Sequence, residues 1–233
     1  MRFHHLSRPV LVAAAAAVLI QCGDDNLTGP AFERNDPGTG TSTLRVIADI
    51  EVEDESGGDY VTAVHVSVHT AAGAAVSGAA VLISAPGIGT VTVPETAAGS
   101  GEYVVVQPNA PAGDIRLDVT RASDNVARVT VGWLGLHTIT LPQQGAAVDE
   151  TQPLMVRWTV PAMGSSAELE TRDFSVEDLP DDGEYSVPVA SNPPRSDQRI
   201  RVYRVNQVDL AGGVAGSLLR ISVRDTVEPV IVQ

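Results

Sequence analysis

The chain has 233 residues, a formal charge of −14, 43% hydrophobic residues and only 4% aromatic ones. All 15 basic residues are arginine, which excludes chemistry that depends on lysine, such as a phosphate-loop lysine, a Schiff base or a Ser–Lys dyad. The acidic balance also argues against a nucleic-acid partner, because phosphates need cationic contacts.

Met1–Arg8 carries Arg2 and Arg8 and no acid, and Val10–Ile20 is an unbroken apolar run of 11 residues. That run is shorter than the ~20 residues needed to cross a bilayer. It matches the apolar core of a secretory signal peptide behind a basic start. The following "LIQCGDD" (Leu19–Asp25) resembles the lipobox of bacterial lipoproteins. Leu19 fits the position three before the cysteine and Cys22 fits the invariant cysteine, while Gln21 stands where the family has a small residue. The resemblance implies that residues 1–21 are removed and that Cys22 becomes the first residue, acylated on sulfur and amine with chains such as palmitate. It implies a lipid-anchored place in the cell envelope, with Asp24 and Asp25 pointing to the outer membrane, in the periplasm or on the surface. Cys22 is the chain's one cysteine and has no internal disulfide partner, which suits that use. Two acyl chains hold a protein stably where one is marginal. Loss of residues 1–21 leaves 13 basic against 29 acidic residues, a formal −16.

Residues 22–43 are rich in Gly, Pro, Asn, Asp, Thr and Ser and are expected to form a flexible linker behind the lipid. "NLT" (Asn26–Thr28) is a formal glycosylation sequon within it. From Leu44 the apolar period becomes two. Leu44, Val46, Ala48, Ile50 and Val52 share one face, with Arg45, Asp49, Glu51 and Glu53 on the other, the pattern of a half-buried strand. "ESGGD" is a turn, and Val64, Val66 and Val68 continue the alternation. Further strands are expected at Ala79–Ser84, Gly89–Val93, Glu102–Gln107, Asp114–Thr120 and Val126–Trp133. Short Val-rich strands separated by turn residues favour a sandwich over a parallel sheet.

"AAGAAVSGAAVLISAPG", "GSGEYVVV" and "PAGDIRLDVT" together resemble bacterial Ig-like and carboxypeptidase-regulatory-like domains, which implies an Ig-like sandwich over 44–135. A second unit, 136–233, carries Leu154, Val156, Trp158 and Val160 on one face. The strand-borne Trp158 resembles the core tryptophan of fibronectin type III-like domains, and "LPDDGEY" (Leu179–Tyr185) is similar to their tyrosine corner. Its remaining strands are expected at Arg199–Val205, Ser217–Val223 and Val227–Val232. "GEYVVV" at Gly101 and "GEYSVP" at Gly183 echo one another. The fold class is therefore all-β, two tandem Ig-like sandwiches after a signal peptide and tether. "WLGLHT" (Trp133–Thr138) is short and apolar enough to make their junction close.

Catalytic signatures are missing. The sequence has no Gly-x-Ser-x-Gly and no His-Glu-x-x-His. His65 and His69 share a strand face ~13 Å apart, too far to hold one ion together. His137 at the junction is a minor candidate for a ligand or base. Two acidic groups suit the flexible oxygen coordination of Ca²⁺ in chemistry, though not in EF-hand spacing. The weak candidate ligands are Asp54, Glu55 and Asp59 in the first group and Asp178, Asp181 and Asp182 in the second. Arg195, Arg199, Arg201 and Arg204 are expected to pair with nearby acids at the surface. The lipobox resemblance, the all-β pattern and the missing catalytic motifs together imply a non-enzymatic envelope lipoprotein with no cofactor beyond its lipid, whose partners are the membrane and another envelope protein or a glycan. A calcium-dependent adhesion or carbohydrate-binding module is the alternative.

Overall fold

A computed structural model of the chain describes residues 29–56 and 58–232. The signal segment, Cys22 and the Asn26–Thr28 sequon lie outside the described residues. The first half contributes β1 (Thr39–Gly40), β2 (Leu44–Ser56), β3 (Asp59–Thr70), β4 (Ala80–Ala85), β5 (Gly89–Val93), β6 (Glu102–Pro108), β7 (Ile115–Arg121) and β8 (Asp124–Val131). The second contributes β9 (Ile139–Leu141), β10 (Ala147–Asp149), β11 (Leu154–Trp158), β12 (Ser166–Thr171), β13 (Ser175–Leu179) and β14 (Glu184–Val187). Then come β15 (Ile200–Asp209), β16 (Leu218–Val227) and β17 (Val230–Val232). The chain is all-β with sandwich-like sheets; its helical pieces among the described residues are short 3-10 turns at Ala31–Arg34 and Val189–Ser191.

The strands do not sort into two separate sets of sheets. A seven-stranded sheet runs β13-β12-β15-β16-β2-β3-β6, so it begins in the second half of the sequence and ends in the first. The joint is a parallel pairing of β16 with β2, from Leu218 beside Ile47 to Arg224 beside Glu53. A five-stranded sheet, β1-β8-β7-β4-β5, and a three-stranded sheet, β14-β11-β9, complete the main layers. β10 and β17 pair in parallel as a small fourth sheet.

Two apolar cores follow. One gathers Val46, Ile50, Val66, Ile83, Leu117 and Trp133, the other Val156, Trp158, Leu169, Ile200 and Val202. Alternation explains them, because each strand turns its β-branched side chains to one face and its polar ones to the other. β15 and β16 are long enough to serve both. Ile200 and Val202 of β15 lie in the second core while Val208 lies in the first. Leu219, Ile221 and Val223 of β16 lie in the first core and Val227 in the second.

The segment expected to be a flexible linker departs from that expectation from residue 29 onward. Ala31 is fully buried in the first core, and its N–H donates to the Met163 carbonyl at 2.7 Å. Arg34 donates to Asp114 at 3.1 Å and to the Trp133 carbonyl at 2.6 Å, and β1 pairs with β8. The Gly, Pro and Asn content that suggests a coil also suits a segment held by close backbone approach and side-chain hydrogen bonds. Gly132 shows the constraint: a Cβ there would overlap the Ala31 carbonyl. Gly132→Ala is therefore expected to lift residues 29–36 off the sandwich and to cost about 1–3 kcal/mol, the range for overpacking. Amide exchange checks it: the Ala31 and Asp36 N–H groups, bonded to Met163 and Thr130, should lose protection before the core strands do.

Candidate functional site

Along the inward row of β15 the residues read Ile200, Val202, Arg204, Asn206, Val208. The apolar members belong to the two cores, and the polar pair falls where the strand crosses from one to the other. A buried polar group must find partners or it costs stability. Both find them. The Arg204 guanidinium reaches the Asp181 carboxylate with Nε–Oδ1 at 2.9 Å and Nη2–Oδ2 at 2.7 Å, and both side chains have 0% exposure. Its other N–H groups donate to the carbonyls of Leu134, at 3.1 Å, and Ala162. Asp181 also accepts from Trp158 Nε1 at 3.2 Å and from the Gly164 N–H at 2.6 Å. One ion pair thus ties the junction, the β11 tryptophan, the loop before β12 and the loop before β14. Asn206 donates to the Gly132 carbonyl at 2.8 Å and exchanges hydrogen bonds with Asn35, which fastens the N-terminal segment to the same seam.

His137 completes the seam. It is 3% exposed, and its Nε2–H donates to the Val202 carbonyl at 3.2 Å while Nδ1 has no partner. Burial, reinforced by the positive charge of Arg204, lowers its pKa to about 3, against the opposing pull of the Val202 carbonyl and Asp181. At neutral pH it is an uncharged structural group. A buried histidine without access to solvent is poorly placed as a general base.

The calcium candidates separate. Asp54, Glu55 and Asp59 are exposed at the β2–β3 hairpin, and Asp178 and Asp182 are exposed around the loop before β14. Asp181 is consumed by Arg204, Trp158 and Gly164 and has no oxygen left for an ion. Among the described residues no three His, Cys, Asp or Glu side chains converge as a metal site. His65 pairs with Glu102 at 2.8 Å. Of the arginine run, Arg195 pairs with Asp173 and Asp197, and Arg199 and Arg201 with Glu170. Surface pairing fails for Arg204 alone, whose partner is buried with it. The tyrosine corner is also displaced. Tyr185 is partly exposed and stacks on Phe174 at 6.1 Å between ring centres. Tyr103 of the other "GEY" is the one buried with its hydroxyl on the main chain, donating to the Val76 carbonyl and accepting from the Ala79 N–H, both at 2.9 Å.

The outer face of the seven-stranded sheet carries a second arrangement, which sequence reasoning missed because it joins strands from both halves. Arg220 on β16 reaches Glu168 on β12 at 2.7 Å and Asp49 on β2 at 3.3 Å. With Glu51, His65 and Tyr203 these line an open groove of about 380 Å³ floored by Ala63 and Ser222. Burial pushes the Tyr203 phenol up; Arg201 opposes this, and Glu170 and Glu51 add to it. The groove is open and mixed in character, with Val64 and Val104 beside its charged groups. It offers hydrogen-bond donors, acceptors and one aromatic ring, and no activated nucleophile.

Among known proteins, no family model and no curated sequence matches the chain. Two solved structures are similar over most of it. One is titled "Biofilm associated protein - BSP domain", with 15% identity, 82% of this chain and 30% of that chain covered, and a TM-score of 0.26. The other is of Clostridium thermocellum CbhA fibronectin(III)-like modules, with 15% identity, 80% of this chain and 94% of that chain covered, and a TM-score of 0.26. The chain thus spans under a third of the first structure's length. At that TM-score the architecture rests on the strand order and register described above.

Proposed function

We propose that the chain is a non-enzymatic lipoprotein of the cell envelope, held to the outer membrane through acylated Cys22. Its coupled sandwiches serve binding or envelope assembly. The observation that carries this reading is the filled seam. In chains of more than one unit, active-site clefts favour the interface between units. Here that interface is occupied by Arg204, Asp181 and a neutral His137, and the sheet continues across it. Such a body supports presentation of surfaces rather than closure on a substrate. The lipobox-like "LIQCGDD" supplies the place of attachment.

Intact mass of the membrane-extracted protein tests the anchor, with Cys22→Ser as control. A mass that begins at Cys22 and carries a diacylglyceryl group is the expected result. A chain recovered from the medium with an unmodified thiol would overturn it.

A second reading, a carbohydrate-binding module, draws support from the outer groove, where Tyr203 lies among Glu168, Arg220, Asp49 and His65. An aromatic ring ringed by hydrogen-bonding groups suits a sugar, which has one apolar face and many hydroxyls. Titration calorimetry with neutral oligosaccharides, repeated on Tyr203→Ala, separates the two readings. Heat that vanishes in the variant favours the sugar module.

A further inference from the structure

The described part of the chain starts much nearer to Cys22 than the expected linker over 22–43 suggests. Gly29 follows Cys22 by seven residues, which reach at most ~25 Å even fully extended. From Gly29 the chain enters the seam at once, with Ala31 buried and Arg34 turned inward onto Asp114 and Trp133. A lipid on Cys22 would therefore keep this side of the protein within ~25 Å of the headgroups, near enough to touch them.

That side carries unpartnered apolar side chains. Phe32 is 42% exposed and Met163 46% exposed. The hydrogen bond from the Ala31 N–H to the Met163 carbonyl brings their backbones together, so Phe32 and Met163 sit on adjoining segments. Pro161, on the same loop as Met163, is exposed as well. Single exposed apolar residues are ordinary on a protein surface. A phenylalanine ten residues from Cys22 and a methionine on the adjoining segment offer an acylated chain two apolar side chains to place at the interface.

We infer that the face bearing Phe32 and Met163 rests on the lipid surface, with both side chains in the headgroup region. This rests on the lipid-anchor reading. The lipid it fits is zwitterionic, because a chain of formal charge −16 is repelled by anionic headgroups. The contact sets orientation: it fixes which face of the long sheet looks away from the membrane.

The chain's single cysteine makes the test independent of what the cell does to it. The chain from Cys22 onward, which contains every described residue, is coupled through that thiol to phosphatidylcholine vesicles bearing a maleimide lipid. Phe32→Trp is the reporter. Trp133 and Trp158 are buried and give a constant background. The comparison is Val106→Trp, at a position 59% exposed on β6, four strands from β15 across the sheet. Phosphatidylcholine brominated near the headgroup should quench the Trp at position 32 strongly and the one at position 106 weakly, and only after coupling. Equal quenching of both, or none at position 32, would overturn the inference. So would a blue shift at position 32 that grows with protein density without bromine quenching, which marks a second copy of the chain as the occupant. Failure of acylation in the intact-mass experiment leaves the result of this one standing, so the two readings fail separately.

Discussion

Arg204→Met is expected to destabilise the protein by about 3–5 kcal/mol, the range for removing one partner of a buried ion pair. The variant leaves the Asp181 carboxylate at 0% exposure without its counter-charge and strips a donor from the Leu134 and Ala162 carbonyls. Trp158 reports on it directly, since its indole N–H donates to Asp181. Urea unfolding followed by tryptophan fluorescence should show the midpoint fall with little change in slope. A loss under ~1 kcal/mol would remove the seam as a source of stability. The double variant Arg204→Met/Asp181→Leu separates charge from packing. Replacing a buried pair by apolar groups removes the uncompensated charge, so that part of the loss should return, while the cost of leaving the Trp158 and Gly164 N–H groups and the Leu134 and Ala162 carbonyls unpaired remains.

The same experiment asks whether the two cores are one cooperative unit. β15 and β16 place residues in both, and the pairing of β16 with β2 makes each core share a backbone ladder with the other. Breaking the second core therefore frees the edge of the first. Asn206 and Asn35 add a neutral lock beside the charged one, and it is also what holds the N-terminal segment in place. A single transition by every probe is the outcome this arrangement predicts for the unaltered chain.

Strands with one face buried were legible in the amino-acid sequence. β2, β3 and β5 fall where alternation puts them, because Val, Ile and Ala at every second position leave little choice of register. β12, β13 and β14 were missed. "SAELET", "SVEDL" and "EYSV" carry two apolar residues each among acids, which are depleted in strands, whereas the Val and Thr of β5 favour them. The long sheet was not legible either. Leu218 and Ile47 are neighbours in space but 171 residues apart in the chain, and no local pattern encodes such a pairing. The seam did leave a trace. In "IRVYRVNQVD" the inward row changes from apolar to polar at Arg204 and Asn206 and back at Val208. An interruption of that kind inside an otherwise core-facing row marks a place where a strand passes between two cores. Tyr103 and Tyr185 show the opposite limit: two identical tripeptides, one with its tyrosine buried and bonded, the other with its tyrosine stacked at the surface.

His137 makes the stability of the seam depend on acid in a window of its own. Its native pKa is about 3, whereas an unfolded histidine titrates near 6.5. Above pH 7 both states are neutral and the group contributes no pH dependence. As pH falls through 6.5 the unfolded chain takes up a proton that the native seam refuses, so stability drops by about 1.4 kcal/mol for each further pH unit. Between pH 6.5 and 4.5 the loss amounts to about 2 kcal/mol, and it continues until His137 itself protonates near pH 3. Carboxylates held below their usual range, such as Asp118 beside Arg116 and Asp197 beside Arg195, weaken the fold only at lower pH, as they begin to protonate. His137→Gln separates the effects, because its amide can still donate to the Val202 carbonyl but takes up no proton. Urea midpoints measured from pH 7.5 down to 4.5 should decline for the unaltered chain and stay nearly level for His137→Gln, the two converging at the top of the range. Parallel declines would mean that the proton is taken up elsewhere and that His137 does not set the acid sensitivity of the seam.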